Sequence, residues 1–150
     1  MKPIIVTSAI LLAVGSGQAA AALPCPTPTM SEAAIIALVS NKYVCANRIA
    51  THESWNELHD RLHGVGDRGP NPVIDWKRGP NDPVDPSKLV GTYTISNGAN
   101  PGTITYDYGA GGIYTYSVKA TGGGIGSLFY QYCNVNTGEL FDITATVNHC

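Results

Sequence analysis

The sequence predicts a mainly β domain: an antiparallel meander that closes into a small barrel of about eight strands, preceded by one short N-terminal helix. Short segments alternate between apolar and polar residues, which is the period of a strand with one buried face. Turn residues separate these segments, and the chain carries 17 Gly and 10 Pro in 150 residues. No segment after residue 90 is long enough for a crossover helix, so a parallel sheet is excluded. Closure would remove the exposed edges of the sheet.

The N-terminus has the pattern of a secretory signal peptide. A short basic start precedes the apolar stretch 4–14, and small residues 19–22 follow. This pattern predicts a signal peptide over 1–22, with cleavage after Ala22 or one or two residues earlier, and a single domain over 23–150. The apolar run is shorter than the ~20 residues of a membrane-spanning helix. We therefore expect a secreted or periplasmic protein with no integral membrane segment after cleavage.

The cysteine count fits an exported protein. All four cysteines, Cys25, Cys45, Cys133 and Cys150, lie in the predicted domain. An even number in an exported chain indicates two disulfides, and four cysteines allow three connectivities. A hairpin turning at 136–138 would place Cys133 near the turn and Cys150 at the far end of the last strand. This geometry counts against a Cys133–Cys150 bridge and leaves the pairing otherwise open.

One helix is predicted before the strands. Ser31 can cap its first turn, and Glu32 is placed well for the helix dipole. An apolar stripe then follows at helical spacing, which predicts a helix over 32–40 with Asn41 as its stop. The stripe consists of Ala34, Ile35, Leu38 and Val39.

Eight segments are candidate strands. Five of them alternate clearly, and turns rich in Gly and Asn join them. These five are 91–96, 102–108, 112–118, 128–133 and 141–147. Two earlier segments, 43–46 and 72–77, also have strand character. The loop 78–88 contains three prolines and cannot pair regularly.

The segment 54–63 is compatible with two structures. Ser54 and Glu57 form the pattern of a helix capping box, and Trp55, Leu58 and Leu62 recur at helical spacing. The same segment also alternates as Trp55, Glu57 and His59. A strand here would keep the meander uniform, and we therefore predict a strand.

Several motifs together resemble a group of small exported bacterial proteins that have no assigned function. The most specific stretch is Arg78-Gly-Pro-Asn-Asp-Pro-Val-Asp-Pro-Ser-Lys88, followed by Val90-Gly-Thr-Tyr93. The motif Trp55-x-Glu57-x-His59 also belongs to the resemblance, which implies that this segment is a strand. More loosely, Gly91-Thr92-Tyr93 is similar to the Gly-x-Trp that opens a strand in lipocalin-like barrels. That similarity implies a barrel with a cup and assigns no catalytic residue.

The charge balance excludes two classes of partner. The chain has 9 basic and 11 acidic residues, a net charge of -2, and only 13% charged residues. A general nucleic-acid binder needs a basic stripe, and a binder of anionic membranes needs a polybasic segment. The sequence contains neither.

Tyrosines dominate the face of the strands that we predict to point inward. Seven of the eight are placed there: Tyr93, Tyr106, Tyr108, Tyr114, Tyr116, Tyr130 and Tyr132. A buried hydroxyl needs a partner, so this face indicates a wet interior or a ligand cup. The alternative is that tyrosine simply suits pleated sheets. The residues predicted to bind a ligand are Trp55, Trp76, Tyr93, Tyr106, Tyr116 and Tyr130.

Titratable residues give no catalytic or metal-binding prediction. His59 and His63 would share one face on a helix, but a strand separates them, and we expect solvated histidines. Asp75, Asp82 and Asp85 precede Ser87 in a proline-rich segment, where Asp is common in turns. No nucleophile elbow or phosphate loop occurs. We therefore predict no catalytic residue, no metal site and no cofactor.

The function predicted from the sequence is non-enzymatic binding of an unknown small molecule or protein outside the cytoplasm. The alternative is a secreted enzyme or enzyme inhibitor that acts through the loop 78–88. A proline-fixed loop presents side chains at low entropic cost.

Overall fold

The structure is a computed structural model that describes residues 24–52, 54–61, 68–75, 88–96, 102–122 and 129–148. Over these ranges the chain forms one α-helix and eight strands in a closed barrel. The elements are α1 (Glu32–Val39), β1 (Lys42–Arg48), β2 (Ser54–His59), β3 (Asn71–Asp75), β4 (Lys88–Ser96), β5 (Thr103–Asp107), β6 (Ile113–Thr121), β7 (Phe129–Asn134) and β8 (Leu140–Thr146). The predicted fold class is confirmed.

The barrel is an antiparallel meander in which each strand pairs with the next. The first and last strands close it: β1 pairs with β8 from Tyr43 opposite Thr146 to Arg48 opposite Phe141. Because β1 and β8 pair with each other, the described sheet has no free edge strand.

The helix covers one end of the barrel. The Ser31 side chain accepts a hydrogen bond from the backbone N–H of Ala34, and Asn41 has φ 56°, so both predicted helix limits are confirmed to within one residue. α1 buries Ile35, Leu38 and Val39 and contacts β1, β4 and β5. We call this end of the barrel the helix end and the opposite one the far end. In the described part of the chain, no helix combines the length and the apolarity needed to cross a membrane.

The ambiguous segment is a strand. Ser54–His59 forms β2 and pairs with both β1 and β3, which confirms the prediction. The expectation that His59 is solvated is wrong, because its side chain is completely buried. Period-two alternation explains the burial: Trp55, Glu57 and His59 all face the interior.

The predicted proline-rich loop falls between β3 and β4 in the sequence. β3 ends at Asp75 and β4 begins at Lys88, and because these two residues pair, the prediction that the unpaired loop extends to residue 88 is wrong. Several sequence predictions fall outside the described residues: the signal peptide, Trp76, the residues 78–87 of the loop with their two aspartates and Ser87, and His63.

A disulfide joins the chain before the helix to the barrel wall. Cys25 and Cys133 are bonded, with a Cα–Cα distance of 5.7 Å. This bond agrees with the expectation that Cys133 does not pair with Cys150. Cys45 is also disulfide-bonded, and Cys150 lies outside the described residues.

Candidate functional site

The inward-facing tyrosines fall into three groups by depth. Tyr93, Tyr106 and Tyr132 are buried, whereas Tyr108, Tyr116 and Tyr130 are partly buried against the core. Tyr114 stands at the rim of the far end with 38% of its surface exposed. Burial therefore separates tyrosines that complete the core from tyrosines that solvent reaches.

The deepest polar groups form a hydrogen-bonded cluster around His59. Its Nε2 lies 2.7 Å from the Tyr106 hydroxyl, and its Nδ1 lies 3.1 Å from the backbone oxygen of Glu57. The hydroxyls of Tyr106 and Tyr132 are 3.0 Å apart. Burial lowers the pKa of His59 to about 4, against the effect of its hydrogen bond to the backbone. The Nδ1 of the neutral ring donates to the backbone oxygen of Glu57, because a carbonyl oxygen only accepts.

Burial and position in the barrel separate three predicted ligand residues from the far end. Tyr93 and Tyr106 are 0% and 2% exposed, so they belong to the core. Tyr130 lies in β7 opposite Ile143, toward the helix end. Trp76 lies outside the described residues. Of the predicted residues that the structure describes, Trp55 and Tyr116 are the two that lie together at the far end.

Aromatic rings form a continuous chain of contacts at the far end, and Tyr108 at one end of it is hydrogen-bonded to the buried carboxyl of Glu57. The Trp55 and Phe141 rings are 5.3 Å apart, and Tyr116 lies 5.5 Å from Phe141. Tyr116 also lies 5.8 Å from Tyr106, which stacks at 5.9 Å on Tyr108. We call the group at this end the mouth cluster. It consists of Trp55, Glu57, Tyr108, Tyr116 and Phe141.

The mouth cluster has partly exposed walls and a buried floor. Trp55, Tyr108 and Tyr116 are partly exposed although they face inward, whereas Glu57 and Phe141 are 8% and 2% exposed. Large inward-facing side chains that remain partly exposed at a barrel end indicate a concave surface. Such surfaces are preferred ligand sites at the mouths of barrels.

The carboxyl of Glu57 is held by Tyr108. The Tyr108 hydroxyl lies 2.9 Å from each carboxyl oxygen and donates to them. Burial raises the pKa of Glu57 to about 7; the Tyr108 hydrogen bond acts against this shift, and the charge of Asp75 adds to it. The carboxyl therefore changes its charge near neutral pH.

Other charged groups stand around the same end. Asp75 lies directly opposite Glu57 in the β2–β3 pairing, and Lys88 lies opposite Asp75 in the β3–β4 pairing. Arg48 forms an ion pair with Glu139 at 3.3 Å, and its guanidinium lies 5.3 Å from the centre of the Phe141 ring. The described far end thus combines both signs of charge with aromatic surface.

A glycine makes room for Tyr108. Gly91 lies in β4 beside the end of β5, and a Cβ at this position would lie 2.4 Å from the Asp107 oxygen and 3.1 Å from Tyr108 Cδ1. The first contact is with backbone, which cannot move aside as a flexible side chain can. The glycine of the Gly91-Thr92-Tyr93 motif therefore permits the close approach of β5 and Tyr108.

We expect Gly91→Ala to lower the free energy of unfolding by about 1–3 kcal/mol, because it overpacks this contact. Urea denaturation would measure the loss. Gly122→Ala is the matched control, since a Cβ there would have no neighbour within 4 Å, and we expect it to change stability by less than about 0.5 kcal/mol. Equal effects of the two substitutions would contradict this account of Gly91.

Sequence reasoning did not predict Glu57 and Tyr108 as site residues. The sequence places Glu57 in a capping-box pattern and in the alternation of β2, and it places Tyr108 among the inward tyrosines, but neither enters the predicted ligand set. The alternation of Trp55, Glu57 and His59 was the available signal, because it places a carboxyl on the inner face of a strand. The pairing of Glu57 with Tyr108 spans 51 residues and could not be predicted from local sequence.

Comparison with known proteins does not assign this chain to a family. Protein-family models, curated proteins and solved structures gave no match to this chain. Among the described residues, no group of three or more His, Cys, Asp or Glu side chains could hold a metal ion.

Proposed function

We propose that this protein is an exported, non-enzymatic binding protein that takes a small molecule at the mouth cluster. One observation carries the proposal: Trp55, Tyr108 and Tyr116 face inward yet stay partly exposed at the barrel end not covered by the helix, and Tyr108 is hydrogen-bonded to the buried carboxyl of Glu57. Aromatic walls with a few placed polar groups are the usual lining of small-molecule sites.

The location outside the cytoplasm rests on separate support. The N-terminal pattern is that of a signal peptide, and the Cys25–Cys133 disulfide suits an oxidising compartment.

The rest of the domain favours a static binder. The helix end is filled by Ile35, Leu38 and Val39, and the centre by the hydrogen-bonded His59 and Tyr106. A ligand entering at the far end would therefore meet a preformed floor. A preformed site loses little entropy on binding, because few side chains must be ordered.

Amide-detected NMR with small aromatic fragments tests the proposal. We expect chemical-shift changes to concentrate in β2, in the turn 108–112 and at the start of β8, with little change in α1. The fragments should bind in the millimolar range or tighter, because a small ligand gains a limited free energy from each of its few non-hydrogen atoms.

Two substitutions locate the binding surface. We expect Trp55→Ala to weaken fragment binding at least about tenfold, since it removes one aromatic wall. Phe129→Ala is the control because Phe129 is an exposed aromatic residue, 51% exposed, at the helix end. The retained dispersion of the NMR spectrum shows that each variant is folded. Fragment shifts confined to the helix end, or equal losses in the two variants, would refute the proposed site.

A further inference from the structure

The carboxyl of Glu57 can accept more hydrogen bonds than the described residues donate to it. An ionised carboxylate offers about four lone-pair positions. Among the described residues, its side-chain donor is the Tyr108 hydroxyl, which brings one proton to the two oxygens. A buried carboxylate that accepts one hydrogen bond is poorly stabilised, and a ligand carrying several N–H groups would complete it.

The aromatic walls favour a cation over a neutral donor. Trp55 is on the same strand face as Glu57, two residues away, and Phe141 of the floor connects Trp55 to Tyr116. An aromatic ring attracts a cation to its face, most strongly for Trp. The guanidinium of Arg48 takes up this kind of contact with the Phe141 ring, at 5.3 Å from its centre, and the partly exposed Trp55 and Tyr116 are the rings a ligand would reach.

Several strands contribute charged or titratable groups to the end of the barrel where Glu57 lies. Asp75 on β3 faces Glu57, and Lys88 on β4 lies opposite Asp75. Arg48 on β1 is paired with Glu139 before β8. Tyr108 after β5 and the neutral His59 on β2 complete the set. Asp75 is therefore the charged neighbour that faces Glu57 directly, and among these side chains three carboxyls stand against two basic groups when Glu57 is ionised.

Resting on the proposed function, we propose that the mouth cluster binds a compact organic ammonium ion. The Glu57 carboxylate accepts hydrogen bonds from the ammonium group, and the organic body lies against Trp55 and Tyr116. Asp75 strengthens the attraction from the neighbouring strand. Because the bound ligand needs the ionised carboxylate, binding releases the proton that Glu57 carries in slightly acidic solution.

Three probes with the same aromatic body test the charge preference. 2-Phenylethylamine carries an ammonium group, 2-phenylethanol a neutral hydroxyl and phenylacetate a carboxylate. At pH 8 we expect the amine to bind at least about tenfold more tightly than the alcohol, because a hydrogen bond between charged groups exceeds a neutral one. We expect phenylacetate to bind more weakly than the alcohol.

Calorimetry of the unmodified protein measures how many protons are released when the amine binds. Titrations in two buffers with different ionisation enthalpies give the protons released per amine bound. We expect close to one proton at pH 6 and close to none at pH 8.5, since Glu57 has a pKa of about 7 in the free protein. The alcohol should release none at either pH.

Replacing Glu57 by glutamine, its neutral isostere, tests whether its charge selects the amine. We expect Glu57→Gln to bind the amine no more tightly than the alcohol and to release no proton on binding the amine. Asp142→Asn, which changes an exposed carboxyl on the outer face of β8, should alter neither. If the alcohol binds at the mouth cluster but the amine binds no more tightly, the ammonium proposal is wrong and the binding site stands. If none of the three probes binds at the mouth cluster, both the ammonium proposal and the proposed function are wrong.

Discussion

Glu57→Gln is expected to raise the free energy of unfolding at pH 8 by up to roughly 3 kcal/mol and to leave it nearly unchanged at pH 4. The pKa of Glu57 is about 7 in the folded protein and 4.5 in its ordinary state. Between these values the folded chain holds more protons than the unfolded chain, so stability falls as pH rises through this window. Glutamine does not titrate and removes this fall, and it retains an acceptor for Tyr108.

His59 has the opposite effect on stability. Its pKa is about 4 in the folded protein and 6.5 in its ordinary state. The unfolded chain therefore holds more protons between pH 4 and 6.5, and stability rises with pH across that range. In the unmodified protein the two groups oppose each other, which predicts a shallow stability profile from pH 4 to 7. Glu57→Gln should reveal the rise due to His59.

Urea denaturation at one-unit steps from pH 4 to 8 would measure both profiles. The exposed carboxyl of Asp142 provides the control, because Asp142→Asn changes the same chemical group outside the barrel. We expect its profile to run parallel to that of the unmodified protein. If Glu57→Gln shifts stability equally at pH 4 and pH 8, then the buried carboxyl does not titrate as described.

The local features of the fold were predictable because local chemistry determines them. The period-two alternation after residue 91 predicted β4 to β8, and Ser31 and Asn41 predicted the limits of α1. The segment 54–59 was ambiguous because its capping pattern and its alternation compete. Pairing with both neighbouring strands decided the outcome.

The depth of each inward residue was not predictable. Alternation places Tyr106 and Tyr116 on the same side of the sheet, and it does not show that one is fixed to His59 while the other stands among partly exposed rings. Depth depends on strand tilt and register around the whole barrel. The pairing of Glu57 with Asp75 depends in the same way on the register of two strands joined by a long connection. Sequence therefore predicted the inward face and two members of the mouth cluster, Trp55 and Tyr116, but not the other three.

Removal of the Cys25–Cys133 bond is expected to lower the free energy of unfolding by about 3–5 kcal/mol. The bond joins residues 108 positions apart, and a cross-link over a long loop restricts the unfolded chain strongly. Urea denaturation would compare the double variant, Cys25→Ala with Cys133→Ala, with the oxidised unmodified protein. A loss well below 1 kcal/mol would contradict the prediction.

The same bond should hold the helix against the barrel. The segment after Cys25 follows the barrel wall, where the backbone N–H of Met30 donates to Val118 and the Met30 oxygen accepts from Gly102. Without the disulfide, these contacts and the burial of Ile35 and Val39 must retain α1 alone. We therefore expect amide hydrogen exchange in α1 to accelerate more than exchange in β5.

Substitution of both cysteines by valine separates the cross-link from the packing of Cys133, which is 3% exposed. Valine fills at least as much apolar volume as cysteine but cannot form the bond. If the bond itself restricts the unfolded chain and tethers α1, the valine pair should lose nearly as much stability as the alanine pair. A valine pair that unfolds like the parent would assign the effect to packing, and the helix would then be held by its buried residues.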